Sequence, residues 1–466
     1  MGTVRIGTLG FGIPLGFLLS VIPAFAHVSE RALVLMLPTD VYSVFGVAAV
    51  IATVFLTVLV PPAAIKALFR FGQNEPPKVG ARPSILRAAT SILALFCMVG
   101  LIATGLFGPR DPLGNLLPLV VFTAWWICFP FLQALFGDLW AWVNPWSRSI
   151  VLVFRGRHLF RLPDWLGIWP ANLTYLLAGV YTLTDIAPDD PARLAWVLGI
   201  YWSITFVMCG VFGPAWLHRG EGFTVFFDLI AKMTPFRRKP VRLEFPGQAV
   251  IQTKNQQISV AVFSVSLLAL GSFDGLNETF WWMAQIGINP LEFPGRSAVV
   301  WPNRVGMIAA VVLLNLAFAF CVWIGLALVG QAGQFRQLYC RFALTLIPIA
   351  LGYHFAHYLT SAMVNFQYLA KELNDPFDTG AALLGLKDFY VTTSFFNQHH
   401  TVQRIWLTQA GAIVLAHMLA VVLSHALALK VFGTHRLAVI SQLPVAGFMV
   451  LYTLFGLWLL ASPVAL

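Results

Sequence analysis

Charge is what this chain has least of. Of its 466 residues only 10% are Asp, Glu, Lys or Arg, against roughly 25% in an average soluble domain. A disordered or highly charged solvating chain is excluded on that ground. Cysteine is scarce as well. Cys97, Cys128, Cys209, Cys321 and Cys340 fall in or beside apolar segments with no C-x-x-C pair, which excludes a disulfide frame and leaves small buried hydrophobes. No phosphate loop, G-x-S-x-G elbow, H-E-x-x-H helix or dinucleotide fingerprint occurs. Nothing repeats at a period of 20–50 residues, so a solenoid is excluded too.

What fills the chain is apolar. Hydrophobic residues make up 59% of it, with 39 Phe and 16 Trp, and the mean hydropathy is +0.79. A water-soluble fold of this size has no way to hide so much apolar surface. The expected fold is all-α, a polytopic transmembrane helical bundle whose first partner is the lipid bilayer. The net charge of +10 does not point to nucleic acid, because no basic patch interleaved with aromatics exists. In membrane proteins Lys and Arg gather in cytoplasmic loops.

Residues 1–26 have the three parts of a secretory signal: Arg5, an apolar run from Leu9 to Ile22, and Ala24-Phe25-Ala26 as a cleavage pattern. They are either a signal peptide or an uncleaved first helix. Cleavage would expose His27, whose amine and imidazole suit copper. The rest, 27–466, reads as a single polytopic domain of about ten spans, near 42–60, 90–107, 116–135, 167–183, 194–212, 257–271, 305–329, 343–364, 405–427 and 438–462. With the mature amino terminus outside, 20 Lys and Arg fall in inner loops and eight in outer ones. The positive-inside rule then sets both mature ends outside. The inner basic loop 213–256 holds the apolar run Phe223 to Ile230, which looks like an interfacial helix. The outer loop 272–304 carries Trp281, Trp282 and Trp301, suited to the headgroup boundary. The outer loop 365–404 carries Asp375, Asp378, Asp388, His399 and His400.

Ionisable groups within lipid are costly and mark function by default. Here they are mostly histidines near the carboxyl end. His354 and His357 stand at i, i+3 on one helical face, and the returning span puts His417 at similar depth, with His425 two turns further. Converging imidazoles suit a divalent transition metal, zinc or copper, or haem as the lesser option. The plainer alternative is hydrogen bonding across helices, with Tyr353, Tyr358, Asn365 and Gln409 at hand. His158, His218 and His435 lie among Arg in inner loops and read as solvated. Gly271-Ser272-Phe273-Asp274-Gly275 ends the sixth span. Asp274 and Glu278, one turn apart if helical, either join metal binding and act as base or leave Asp274 capping an Asx turn. Asp138 with Asn144-Pro145-Trp146 reads as a polar helix exit.

Several of these segments together resemble a family of bacterial integral membrane proteins, the fenitrothion hydrolases. The likeness lies in Asn144-Pro145-Trp146, Arg219-Gly220-Glu221-Gly222-Phe223, Gly271 to Gly275, His357-Tyr358, Asp375-Pro376-Phe377, the His417 span with Ser441-Gln442, and the start ending in Ala26-His27. It implies hydrolysis of a lipophilic organophosphorus triester in the bacterial inner membrane, with both mature termini facing the periplasm. On the residue reading, His354, His357 and His417 would then hold a metal whose bound water is the nucleophile, with Asp274 or Glu278 taking the proton. Partners would be the small lipophilic substrate and a second membrane subunit or further copies of the chain. The rival expectations are a transporter using the same histidines as a relay and a haem-bearing electron carrier.

Overall fold

The structure, a computed structural model, describes residues 34, 36–69, 85–238, 241–254, 256–292, 295–377, 379–380, 382–386 and 389–464. The signal-like segment with His27, and Asp378 and Asp388, lie outside them. Among the described residues nine helices are long and apolar enough to cross a membrane. The expected all-α polytopic bundle is what the chain forms.

Eleven helices carry the architecture: α1 Thr39–Leu59, α2 Ile85–Phe107, α3 Leu116–Phe136, α4 Trp169–Thr184, α5 Pro191–Phe212, α6 Gly222–Ile230, α7 Ile258–Asn277, α8 Val300–Leu328, α9 Ile347–Asn374, α10 His399–Phe432 and α11 His435–Ala461. Their ends follow local chemistry. Asp190 accepts from the Arg193 amide in front of α5, whose first residue is proline. Gly433, at φ 72°, ends α10 in the left-handed region and opens the turn to α11. The helix expected near 167–183 forms as α4, with 16 residues, which reaches only about 24 Å at 1.5 Å per residue.

Helices α9, α10 and α11 pack in sequence, α1 lies against α10 and α11, and α8 against α7 and α11. Helix α7 touches α9 and is the most buried of the apolar helices, with Phe263, Leu268 and Phe273 enclosed. Close approach rests on small residues. A side chain at Gly325 of α8 would run into the Ser441 carbonyl of α11, and one at Gly352 of α9 into Ala412 and Ala416 of α10.

Three boundaries correct the sequence reading. Helix α7 runs on to Asn277 instead of stopping at 271, and α9 continues to Asn374 while α10 begins at His399. The loops that follow α7 and join α9 to α10 are shorter by those turns. The run Phe223 to Ile230 is not interfacial: α6 is buried almost all round, with only Phe223 and Asp228 partly exposed. Phe223 meets Trp125 with ring centroids 4.7 Å apart, Phe226 stacks on Trp126 at 5.8 Å, and Gln133 Nε2 donates to the Phe227 carbonyl at 3.0 Å. The basic stretch after it makes a small antiparallel hairpin, Phe236–Arg238 with Val241–Leu243.

Candidate functional site

The site begins with a proline. Pro130 sits inside α3, whose stretch Leu119–Cys128 is wound as a π-helix before returning to α at Phe129. Proline has no N–H, so the Trp126 carbonyl four residues earlier loses its α-helical donor. His354 of α9 supplies one: its Nε2 lies 2.9 Å from that oxygen. A carbonyl only accepts, so Nε2 carries the proton and the tautomer is fixed. The ring also meets Trp126 edge-on at 5.2 Å. His354 therefore ties α9 to α3, the cross-helix role that was its plainer alternative.

His357, less than one turn on, faces a different helix. Its Nε2 is 3.0 Å from Asp274 Oδ2 of α7. The Tyr358 hydroxyl donates to the same carboxylate oxygen, and the Tyr358 ring stands against both His357, at 4.6 Å, and His354, at 4.8 Å. Tyr353 stacks on His357 from the other side at 6.0 Å. Gly275 makes room for this, since a side chain there would collide with the Tyr353 hydroxyl and come within 3.6 Å of His357 Nδ1. Asp274 is thus no turn cap. It lies within a continuous helix, and its carboxylate is spent on α9. The pair is not sealed: 18% of the His357 side chain and 14% of that of Asp274 remain exposed.

The other residues singled out from the sequence lie apart. His417 turns its Nδ1 to the Ile413 carbonyl of its own helix at 2.8 Å, and its nearest ring partner is Tyr452 of α11 at 6.3 Å. The Tyr452 hydroxyl in turn bonds Ser272 of α7. Glu278 follows α7 and lines a small polar cavity of about 20 Å³ with Thr184, Asp185, Arg296 and Asn303. Among the described residues no group of three or more His, Cys, Asp and Glu side chains is arranged to hold a metal ion. The structure thus joins His357 to Asp274 and leaves His354 and His417 with backbone partners. The donor set does not fit the three-histidine metal centre of the sequence reading. Asp138 and Asn144 accept from amides just after them, at Ala141, Trp146 and Ser147, as the helix-exit reading expects. Asp375 likewise accepts from Thr379 and Gly380 in its own loop.

The sequence reading gives Tyr358 no catalytic role, only a place among hydrogen-bond partners and in the His357-Tyr358 likeness, and it does not single out Trp126 or Pro130. A proline in the middle of an apolar span was the one visible signal for the last two. The fold and site define a multi-pass α-helical membrane protein with a histidine–carboxylate–tyrosine cluster between two of its helices. No family model, no curated protein and no solved structure matches the chain.

Proposed function

We propose that the protein is a membrane-embedded hydrolase of lipophilic organophosphorus triesters, with His357 as general base and Asp274 as the group that orients it and stabilises its charged form. The observation that carries this is the 3.0 Å contact between His357 Nε2 and Asp274 Oδ2 in a bundle interior that is still partly open. A histidine held by a carboxylate is a recurrent general base, and the segment likeness to fenitrothion hydrolases supplies the substrate class. In the reaction, His357 takes a proton from water as the oxygen attacks phosphorus. The phosphorus–aryloxide bond breaks, and the nitrophenol-type group leaves as its anion. Asp274 stays ionised opposite the imidazolium, and Tyr358 holds the carboxylate in place. A neutral triester concentrates in the bilayer and reaches such a site sideways.

The orientation that goes with this reading puts the carboxyl end of α7, and the cluster near it, toward the periplasmic side of a bacterial inner membrane. A second reading, a proton-coupled transporter, is favoured by one feature: the proton-sharing groups sit on two different helices, α7 and α9. Nitrophenol release from fenitrothion by protein in sealed vesicles, with and without a proton gradient, separates the two. Hydrolysis that needs no gradient and disappears in His357→Gln supports the hydrolase. Absence of release by the wild-type protein refutes it.

A further inference from the structure

A second pair of imidazoles lies at the opposite end of α10, away from Asp274. His425 is buried near the end of α10, and its Nε2 has no hydrogen-bond partner. His435 is the first residue of α11, just across the Gly433 turn. Its Nε2 is 2.8 Å from the carbonyl of Val58, one of the last carbonyls of α1, which no helical amide can reach. That bond fixes the proton on Nε2 and leaves Nδ1 as a lone pair, and Nδ1 is buried with no hydrogen-bond partner either. The two rings stand 5.6 Å apart, nearly perpendicular.

Two unsatisfied imidazole nitrogens in an apolar setting are costly. The way His435 is held is informative, because metal-binding histidines almost always give their other N–H to a carbonyl or carboxylate. The spacing also fits. Metal–imidazole bonds are about 2.0 Å long and each ring nitrogen lies about 1.1 Å from its ring centre, so one shared ion allows ring centres up to about 6.2 Å apart, and the observed 5.6 Å corresponds to a bent N–metal–N arrangement. Beside His425 is a cavity of about 30 Å³ lined by Thr57, Ser424, Gln442, the Met449 thioether and aliphatic side chains, with no carboxylate or thiol in its wall. Its size leaves room for a water molecule beside His425. Hard dications require several oxygen ligands and structural zinc four donors. Imidazole suits copper and a thioether such as Met449 in the cavity wall selects its copper(I) state, and neutral ligands in apolar surroundings favour the ion of lower charge.

We propose that His425 and His435 bind one copper(I) ion between their rings, where the ends of α1 and α10 meet the start of α11. The site is separate from the His357–Asp274 cluster and does not depend on the hydrolase reading.

The test uses the full-length protein in detergent, titrated with copper(I) under reducing conditions and then analysed for bound metal. One copper per chain is expected, with X-ray absorption reporting two nitrogen neighbours. His425→Leu and His435→Leu should each weaken binding by about 100-fold or more, while His417→Leu, which removes a buried imidazole from the same helix, should leave it unchanged. Absence of binding by the wild-type protein, sulfur or oxygen neighbours in place of nitrogen, undiminished binding in the double variant, or tighter binding of zinc than of copper(I) would each overturn the assignment. The wild-type absorption spectrum decides the matter even if a variant fails to fold.

Discussion

Asp274→Asn keeps the shape of the side chain and removes its charge, which makes it the most discriminating change at the cluster. Asp274 Oδ2 accepts from His357 Nε2, 3.0 Å away, and from the Tyr358 hydroxyl. Hydrogen bonds to a charged acceptor contribute about 1.5–3 kcal/mol and neutral ones about 0.5–1.5 kcal/mol, so losing the charge weakens the two bonds by roughly 2–3 kcal/mol together. That loss falls mainly on the transition state, in which His357 is becoming an imidazolium and needs the carboxylate most. At about 1.4 kcal/mol per tenfold, the rate should drop about 30- to 150-fold. Stability should move much less. The variant no longer buries a carboxylate, and the smaller desolvation cost offsets much of the weakened bonding. The assay is absorbance of released nitrophenol from vesicle-reconstituted protein, with a thermal melt of the same sample. A variant that hydrolyses within threefold of the parent refutes the assignment of Asp274, whatever its melting temperature.

Two further outcomes follow from polar groups away from the reacting atoms. His354→Leu removes the donor to the Trp126 carbonyl and should lower stability by about 1–3 kcal/mol, whereas His354→Gln keeps an N–H and should recover most of it; melting curves in detergent check both. Burial raises the carboxyl pKa of Glu221, in the loop before α6, above its ordinary range, outweighing the bonds from Thr224, Tyr201 and the Phe223 amide. A carboxyl that binds its proton more tightly folded than unfolded stabilises most at low pH, and that contribution is lost as pH rises from the unfolded value through the shifted one. Glu221→Gln should therefore flatten the fall in melting temperature between mildly acidic and neutral pH, and an unchanged slope would show that Glu221 is not its source.

Hydropathy made the helices legible because a span's requirement, about 20 consecutive apolar residues, is local. Asp274 and His357 were legible for a related reason: a charge placed in lipid shows in the sequence wherever its partner lies. The partner itself was not legible. The His354–Trp126 bond depends on which way α9 faces α3, and the loss of His417 from the group depends on its Nδ1 turning back to Ile413. Neither leaves a periodic trace. The burial of α6 was missed because a short, mostly apolar run, Phe223 to Ile230, next to basic residues fits a membrane surface and a protein interior equally well. Only the enclosing Trp125, Trp126 and Tyr175 rings decide between them.

The i, i+3 spacing of His354 and His357 suggested one shared guest, yet the two rings serve different helices. Three residues advance a helix by about 300°, so the two side chains diverge by about 60°. In a bundle where α9 touches both α3 and α7, that angle is enough to give each its own neighbour. His354 takes the α3 side, bonding the Trp126 carbonyl, while His357 turns its ring to Asp274, whose carboxylate the Tyr358 hydroxyl also reaches. The rotation of α9 is held by the bond that Pro130 makes necessary, which ties the placement of the candidate base to a proline on another helix. Pro130→Ala tests this coupling. Restoring an N–H at position 130 gives the Trp126 carbonyl a helical donor, so the His354→Leu penalty should shrink by about 1 kcal/mol or more in that background. The double variant should also lose activity through misorientation of His357, seen as a lower kcat with little change in KM. Strict additivity of the two stability changes would show that His354 and the proline-freed carbonyl do not depend on each other, and the link from Pro130 to His357 would fall with it.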